Sequence, residues 1–264
     1  MYAFNYHKAG SVAEAAALAA AHPEGKLLAG GMTLLPTMKQ RLAAPSDIID
    51  MSKLDDLRGI SVKDGAVTIK AMTRHVTVAT SAEVQKAIPA LAALAGCIGD
   101  PAVRNRGTLG GSVANNDPAA DYPAACLALG ATIHTNKRAI HADDFFTGLF
   151  ETALDEGEII TSISFPIPDK ANYQKFRNPA SRYAIVGVFV AKKGADVRVA
   201  VTGAGESGVF RQRDFEAALK ANFSPAALDA VKQSPDGLNS DIHADAEYRA
   251  HLIGVMAKRA IAAA

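Results

Sequence analysis

The order of apolar and polar residues predicts alternating helices and strands near the start of the chain. Residues 11–21 are rich in alanine, with Ser11 as a predicted N-cap and Glu14 at the capping-box spacing. The run KLLA predicts a strand, TLLPTMKQRL a short helix with Pro36 in its first turn, and SDIIDMSKL a second strand. These elements form an α/β unit that ends near Asp55.

Further along the chain, strands flank one long helical stretch. Two β-rich runs around Asp64-Gly65 predict a hairpin, residues 77–99 a helical stretch, and several short strands follow up to Pro166 and Pro168. Two long strands then meet at Lys193-Gly194, and the chain from Arg213 onward reads as helical. The predicted fold class is α+β, with boundaries after residues 55 and 168.

Composition narrows the possible partners. The chain has 28 basic and 27 acidic residues, and a net charge of +1 argues against a nucleic-acid partner. No apolar run is long enough to span a bilayer, so we expect no transmembrane segment. The N-terminal stretch lacks the pattern of a signal peptide, and we expect a cytoplasmic protein.

Cysteine and histidine usage limits the metals that the chain could hold. Cys97 and Cys126 are the only cysteines and form no C-x-x-C pair, whereas an iron–sulfur cluster takes four thiolates. The seven histidines are scattered, and no H-E-x-x-H motif occurs. The sequence therefore predicts no metal site in this chain.

One motif resembles a dinucleotide fingerprint by its letters alone. Residues 203–208 read GAGESG after the strand VRVAVT. A Rossmann unit needs a helix and then a second parallel strand, and no β-rich run follows at the required place. We therefore interpret GAGESG as a turn that closes an antiparallel strand.

Two other glycine pairs share a pattern. The first glycine segment (residues 29–34, AGGMTL) and the second glycine segment (residues 108–112, TLGGS) each combine adjacent glycines with a hydroxyl. Glycine lets the backbone approach an anion, and successive N–H groups can bind a phosphate. The two segments could hold the two phosphates of a dinucleotide, or each could be an ordinary turn.

The stretch NNDPAADYPA follows the second glycine segment. Asp117 and Pro118 predict the N-cap and first residue of a helix. Asp121 lies about one turn further on, where it could interact favourably with the helix dipole or accept hydrogen bonds from ribityl or ribose hydroxyls.

Taken together, AGGMTLLPTMKQRL, RNRGTLGGSVANNDPAADYPAACLALGA and DEGEIITSISFPIP resemble the FAD-binding medium subunit of the molybdenum hydroxylases. That family includes the flavoproteins of aerobic carbon monoxide dehydrogenase and xanthine dehydrogenase. The resemblance covers essentially the whole chain. It implies a two-lobed FAD-binding domain of the vanillyl-alcohol-oxidase (PCMH) type, with lobes at residues 1–55 and 56–168. A C-terminal domain at residues 169–264, with a three-stranded antiparallel sheet and helices, would follow.

The resemblance also implies a set of residues that bind FAD non-covalently. In the two glycine segments these are Ala29, Gly30, Gly31, Met32, Thr33, Leu34, Thr108, Gly110, Gly111 and Ser112. Asp121 matches an aspartate that contacts the polar chain of the flavin. Ile98 matches an adenine-side position, Ile160 and Lys175 match positions near the isoalloxazine, and Tyr183 would pack near the ring.

The sequence departs from the family pattern at two places. The family commonly has Gln-Ser after the first glycine pair, where this chain has Met32-Thr33. Thr33 keeps a hydroxyl, whereas Met32 offers no amide. An asparagine often follows the second glycine pair, and Ser112 takes its place here.

The function implied is an electron-transfer subunit of a larger enzyme. Electrons would come from two-iron two-sulfur clusters on a small partner subunit, fed by a molybdenum cofactor on a large one, in a dimer of heterotrimers. FAD would pass them to NAD, a quinone or oxygen, and no catalytic acid or base is expected in this chain. Two alternatives stay open: a self-sufficient flavin oxidase with a covalent His–FAD link, although no histidine adjoins either glycine segment in sequence, and a nucleotide-binding module without redox function.

Overall fold

The computed structural model describes residues 1–264 and begins with a small α/β unit. Its elements are β1 (Asn5–Lys8), α1 (Val12–Ala21), β2 (Lys26–Leu28), α2 (Leu34–Lys39) and β3 (Asp47–Asp50). The three strands form a parallel sheet of order β1-β3-β2. The Ser11 hydroxyl accepts the N–H of Glu14 at 3.1 Å, which confirms the predicted N-cap.

A five-stranded antiparallel sheet forms the second part of the chain. Its strands are β4 (Ile60–Lys63), β5 (Ala66–Lys70), β6 (Thr132–Thr135), β7 (Ala139–His141) and, after the short pair β8 (Phe146–Gly148) and β9 (Glu151–Thr152), β10 (Ile160–Pro166). The order is β4-β5-β10-β6-β7. Asp64 and Gly65 both have positive φ, at 52° and 73°, so the predicted hairpin turn is confirmed.

The helical stretch between β5 and β6 is divided into several short helices. They are α3 (His75–Thr80), α4 (Ala82–Ala87), α5 (Pro89–Gly96), α6 (Pro101–Arg106), α7 (Leu109–Asn115) and α8 (Tyr122–Leu129), and α9 (Ala142–Phe145) follows β7. Ser81 ends α3 and caps α4, and Pro89 starts α5, so the predicted single helical stretch is interrupted twice. Proline and serine favour these first-turn and cap positions over a helix interior.

The C-terminal domain is an antiparallel sheet covered by helices. Its strands are β11 (Lys170–Arg177), β12 (Ala184–Lys193), β13 (Asp196–Thr202) and β14 (Phe210–Arg211), in that order, followed by α10 (Arg213–Ala221) and α11 (Ala246–Ala262). The two-residue β14 adds a fourth strand to the three expected. It pairs with β13 after the GAGESG segment, which is therefore a turn, as predicted. The tail is only partly helical, because residues 222–245 contain a single 3-10 turn, Pro225–Leu228.

Three groups of buried apolar residues hold these parts together. The largest contains 31 residues and combines the five-stranded sheet and its helices with Phe189 of β12. A second, of 20 residues, lies between the C-terminal sheet and its helices, and a third, of eight, lies under α1. Because Phe189 belongs to the largest core, the C-terminal domain packs directly on the preceding one. No helix is both long enough and apolar enough to cross a membrane.

Candidate functional site

The first glycine segment connects the carboxyl end of β2 to α2. None of its six backbone N–H groups, from residue 29 to residue 34, donates a hydrogen bond within the protein. Gly31 has a φ of +73°, which glycine adopts without strain. Every residue of the segment is at least partly exposed. A run of unpaired N–H groups at an accessible bend favours an anion.

The second glycine segment is the N-cap and first turn of α7. The Thr108 hydroxyl accepts the N–H of Gly111 at 3.2 Å. Leu109 donates to the carbonyl of Thr73 at 3.0 Å, and Gly110 to that of Ala71 at 2.8 Å. Ser112 bonds back to the Thr108 carbonyl. The N–H groups of residues 109–112 thus all have partners within the protein. The groups that remain available to a ligand are the side-chain hydroxyls.

The two glycine segments lie against one another. A Cβ on Gly30 would overlap the carbonyl oxygen of Arg106 and lie 2.8 Å from the Cα of Gly107. A Cβ on Gly111 would lie 3.4 Å from the Cβ of Ala29. The backbones approach to a distance that a side chain on Gly30 would prevent. The two glycine segments, although far apart in sequence, therefore form one continuous surface, which we call the glycine cradle.

The chain after the second glycine segment differs from the predicted helix start. The Asp117 carboxylate accepts the N–H of Ala119 at 2.9 Å within a turn, and α8 begins only at Tyr122, with Asp121 at the N-cap position. The Thr202 hydroxyl donates to the carbonyls of Pro118 and Ala120, at 3.0 and 2.7 Å. These contacts from β13 hold residues 118–120 out of the helix, so the predicted N-cap at Asp117 is wrong.

Asp121 joins the two domains through a buried ion pair. Its Oδ2 lies 2.9 Å from the Nζ of Lys175 and its Oδ1 accepts the Tyr173 hydroxyl at 2.5 Å. The Asp121 and Lys175 side chains are 5% and 3% exposed. Burial raises the pKa of the Asp121 carboxyl, and Lys175 and Tyr173 oppose that rise. Both carboxylate oxygens already have protein partners in this arrangement.

The other three predicted contact residues lie in different surroundings. Ile98 is half-buried beside Cys97, whose carbonyl lies 3.5 Å from the Lys175 ammonium. Ile160 is 4% exposed and belongs to the largest core. Tyr183 is 45% exposed. Burial and the nearby Asp117 and Asp121 raise the pKa of Tyr183, and the neighbouring Thr33 side chain of the first glycine segment opposes this.

Two residues beneath the second glycine segment were not predicted. His75 donates its backbone N–H to the Gly107 carbonyl at 3.0 Å, and its ring lies 5.4 Å from that of Tyr122. Both residues are buried, and neither the Nδ1 of His75 nor the Tyr122 hydroxyl has a partner. Burial, with nearby Arg104, lowers the pKa of His75 to about 4, so the ring is neutral near pH 7. An isolated histidine and tyrosine carry no sequence signal for this contact.

These residues fit a dinucleotide that carries a pyrophosphate. The first glycine segment supplies unpaired donors, Gly30 lets this segment pack directly on the backbone at Arg106, and His75 and Tyr122 leave buried polar atoms unsatisfied. Orphaned buried polar atoms in a folded protein mark places where a ligand or water completes the hydrogen bonding. A row of unpaired backbone donors beside a glycine pair is typical of proteins that bind a nucleotide cofactor.

Comparison with known families identifies the class further. Residues 2–168 match the FAD binding domain in molybdopterin dehydrogenase, and residues 171–264 match the CO dehydrogenase flavoprotein C-terminal domain. The chain therefore belongs to the FAD-binding medium subunits of the molybdopterin dehydrogenases. It is a flavoprotein subunit of a molybdenum-containing dehydrogenase, as the resemblance predicted.

Individual relatives match this chain over nearly its full length. The chain is 35% identical to the carbon monoxide dehydrogenase medium chain of Hydrogenophaga pseudoflava, across 99% of this chain and 96% of the relative. It is 35% identical to the nicotine 6-hydroxylase medium subunit of Paenarthrobacter nicotinovorans, across 98% and 96%. The structure of reconstituted CO dehydrogenase from Oligotropha carboxidovorans superposes with a TM-score of 0.90 at 30% identity, across 99% of this chain and 97% of that one. The predicted fold class is confirmed.

Proposed function

We propose that this chain holds FAD non-covalently and passes electrons from iron–sulfur clusters on a partner chain to an external acceptor. The observation that carries the proposal is the row of six unpaired N–H groups in the first glycine segment. An FAD pyrophosphate needs donors of this kind and no compensating cation. Bound FAD supplies the redox chemistry, because it can take up two electrons and release them to an acceptor.

The two glycine segments have different proposed roles toward the pyrophosphate. The N–H groups of residues 29–34 donate to it, and Thr33 assists with its hydroxyl. Gly111 keeps the facing wall free of a side chain, and Gly110 positions this turn by packing on Ala71. The hydroxyls of Thr108 and Ser112 are the remaining donors there. Met32 has no polar group, and we assign it no direct contact.

The ring end of the flavin is proposed to lie toward the C-terminal domain. A cavity of about 270 Å³ opens there, lined by Pro118 and Ala119 on one side and by Tyr183, Ile185 and Arg249 on the other. Tyr183 neighbours Thr33, so this cavity adjoins the first glycine segment. The buried Ile160 would act through packing alone. Ile98 and Lys175 lie in neighbouring segments, which argues against placing them at opposite ends of FAD.

The proposed partners are a large subunit with the molybdenum cofactor and a small subunit with two-iron two-sulfur clusters, in a dimer of heterotrimers. Two relatives are named as medium chains or subunits, which supports a multi-subunit enzyme. The two cysteines of this chain are too few for a cluster. Those relatives are named for carbon monoxide and for nicotine, so we propose that the large subunit selects the substrate. NAD, a quinone and oxygen are the candidate acceptors.

The proposal also treats the chain as three units, residues 1–55, 56–168 and 169–264, with FAD between the first two. The three main sheets lie within residues 5–50, 60–166 and 170–211, which supports that division. The cradle is where the first two units meet, because Gly30 packs on Gly107.

The direct test combines flavin analysis with one substitution. We expect the purified chain or its complex to release FAD into the supernatant on acid denaturation, and flavin that stays on the chain would contradict non-covalent binding. In Gly111→Val the branched side chain would extend toward Ala29, so FAD content should fall sharply while circular dichroism stays at the wild-type level. Full FAD occupancy in that variant would refute the cradle assignment. Turnover of a substrate with oxygen by the isolated chain would refute the subunit role.

A further inference from the structure

A second group of ligand-type side chains lies in the first sheet, away from the glycine cradle. His7 of β1 and His22 at the end of α1 each place a ring nitrogen against one carboxylate oxygen of Asp47, at the start of β3. The Nε2 of His7 lies 2.7 Å from Oδ1 of Asp47, and the Nδ1 of His22 lies 3.4 Å from Oδ2. All three donor atoms lie within 4.8 Å of one another. We call these three residues the His–Asp cluster.

The surroundings of the cluster hold its carboxylate in place. The Asp47 side chain is 4% exposed. The 2.7 Å hydrogen bond between His7 and Asp47 sets the orientation of the carboxylate. Gly25 permits the close approach, because a Cβ there would lie 2.9 Å from the His22 carbonyl oxygen and 3.3 Å from the Asp47 Cβ.

The two histidines leave an open side. Their side chains are 29% and 35% exposed, and their rings are stacked with centroids 5.1 Å apart. Zinc takes imidazole nitrogen and carboxylate oxygen at about 2.0–2.2 Å, and two histidines with one carboxylate are an established donor set that keeps a position for water. Tetrahedral bonds of that length place donor atoms roughly 3.3 Å apart. The distances from Asp47 oxygens to the ring nitrogens are 2.7 Å for His7 and 3.4 Å for His22. Small ring rotations would complete the coordination.

We propose that the His–Asp cluster binds one zinc-class divalent cation, with His7, His22 and Asp47 as its protein ligands. The role of this site is structural. The cluster lies at the amino ends of β2 and β3, whereas the first glycine segment leaves the carboxyl end of β2. Three strand residues separate the two, a span of about 10 Å. The cation would join β1, the end of α1 and β3, segments that no disulfide connects.

The composition of the chain predicted no metal site, because no local motif supplies the ligands. The fold changes that expectation, since the three donors come from separate elements that the parallel sheet brings together. The inference is independent of FAD, because none of the three residues belongs to the cradle.

The test is metal binding by the FAD-loaded protein after removal of metals with a chelator. We expect Zn²⁺ to bind with a stoichiometry of one in calorimetry, and to raise the thermal unfolding temperature relative to the chelated protein. Co²⁺ bound at the same place should give visible absorption bands of a four-coordinate site. The flavin spectrum should not change in either titration.

Three variants decide whether the cluster is the site. His7→Gln and His22→Gln keep a polar side chain but remove a ligand, and we expect zinc affinity to fall by about tenfold or more in each. His251→Gln, an exposed histidine on α11, is the matched control and should bind like the wild type. No saturable Zn²⁺ binding to the wild type, or equal binding in all three variants and the wild type, would overturn the proposal. Circular dichroism of each variant excludes unfolding as the cause of any loss.

Discussion

The two glycine segments are alike in composition but differ in what their backbone does. In residues 29–34 no N–H group has a partner within the protein. In residues 109–112 every N–H group has one, supplied by Thr73, Ala71 and Thr108. One segment is a bend between a strand and a helix, and the other is a helix turn packed on the end of β5. Adjacent glycines therefore leave backbone donors unpaired in one case and allow close packing in the other.

Because of this difference, we expect substitutions in the two segments to have different effects. Changes in the first segment should weaken FAD binding, whereas a change at Gly110 of the second segment should lower the stability of the fold. The predictions that follow test that contrast. They begin with the largest expected loss of FAD affinity and end with the smallest expected effects.

The largest loss of FAD affinity is expected for Gly30→Ala. Its Cβ would overlap the Arg106 carbonyl oxygen, which is main chain and cannot rotate away, so the two glycine segments must separate. We expect FAD affinity at least about tenfold lower, equivalent to about 1.4 kcal/mol, measured by quenching of flavin fluorescence. Gly254→Ala on α11 is the control, because nothing lies within 4 Å of its added Cβ. Wild-type FAD affinity in Gly30→Ala would show that the segments need not touch.

Next comes Asp121→Asn, which leaves the buried Lys175 ammonium without its counter-ion. Removing one partner of a buried pair costs about 3 kcal/mol of unfolding free energy, measurable by urea denaturation.

The double variant Asp121→Asn/Lys175→Met separates folding from flavin contact. We expect it to recover most of the lost stability, because neither charge of the buried Asp121–Lys175 pair remains. If Asp121 also accepts a hydrogen bond from FAD, FAD affinity stays weaker by about 0.5–1.5 kcal/mol. Full recovery of both quantities would reduce Asp121 to an interdomain contact.

Gly110→Ala tests the packing role of the second glycine segment. The added Cβ would lie 2.6 Å from the Cβ of Ala71 and 2.9 Å from its carbonyl oxygen. Overpacking of this kind costs about 1–3 kcal/mol of stability. FAD affinity of the folded protein should change much less than in Gly30→Ala, and a larger loss of FAD affinity than of stability would contradict the contrast between the segments.

The smallest effects are expected for the hydroxyls. Thr33→Val and Ser112→Ala each remove one hydroxyl near the proposed pyrophosphate, and we expect FAD affinity weaker by about 0.5–1.5 kcal/mol in each. Met32→Leu is the control and should leave affinity unchanged. A loss in Met32→Leu as large as in Thr33→Val would mean that side-chain packing, rather than hydrogen bonding, positions this segment.

Predictions from the sequence succeeded where the signal is local. Asp64-Gly65 and Lys193-Gly194 both turn with a positive-φ glycine between paired strands, because few other residues adopt that conformation. Ser11 caps α1 through a contact three residues away. The prediction at Asp117 failed, because Thr202, far away in sequence, holds the Asp117 turn out of the helix.

The candidate site, too, depends partly on local sequence and partly on contacts between distant segments. The sequence by itself determined which residue types were available: glycine pairs that allow a close backbone approach, hydroxyls beside them, and too few cysteines for a cluster. Only the tertiary structure decided which N–H groups are paired. The second glycine segment meets acceptors from another part of the chain, Ala71 and Thr73, whereas residues 29–34 meet none. The tertiary structure also brought His75 under Gly107, and His7 and His22 onto Asp47. A hydrogen bond or a metal ligand depends on distances of a few ångströms, and in this protein the sheet pairing and the packing of separate segments set those distances.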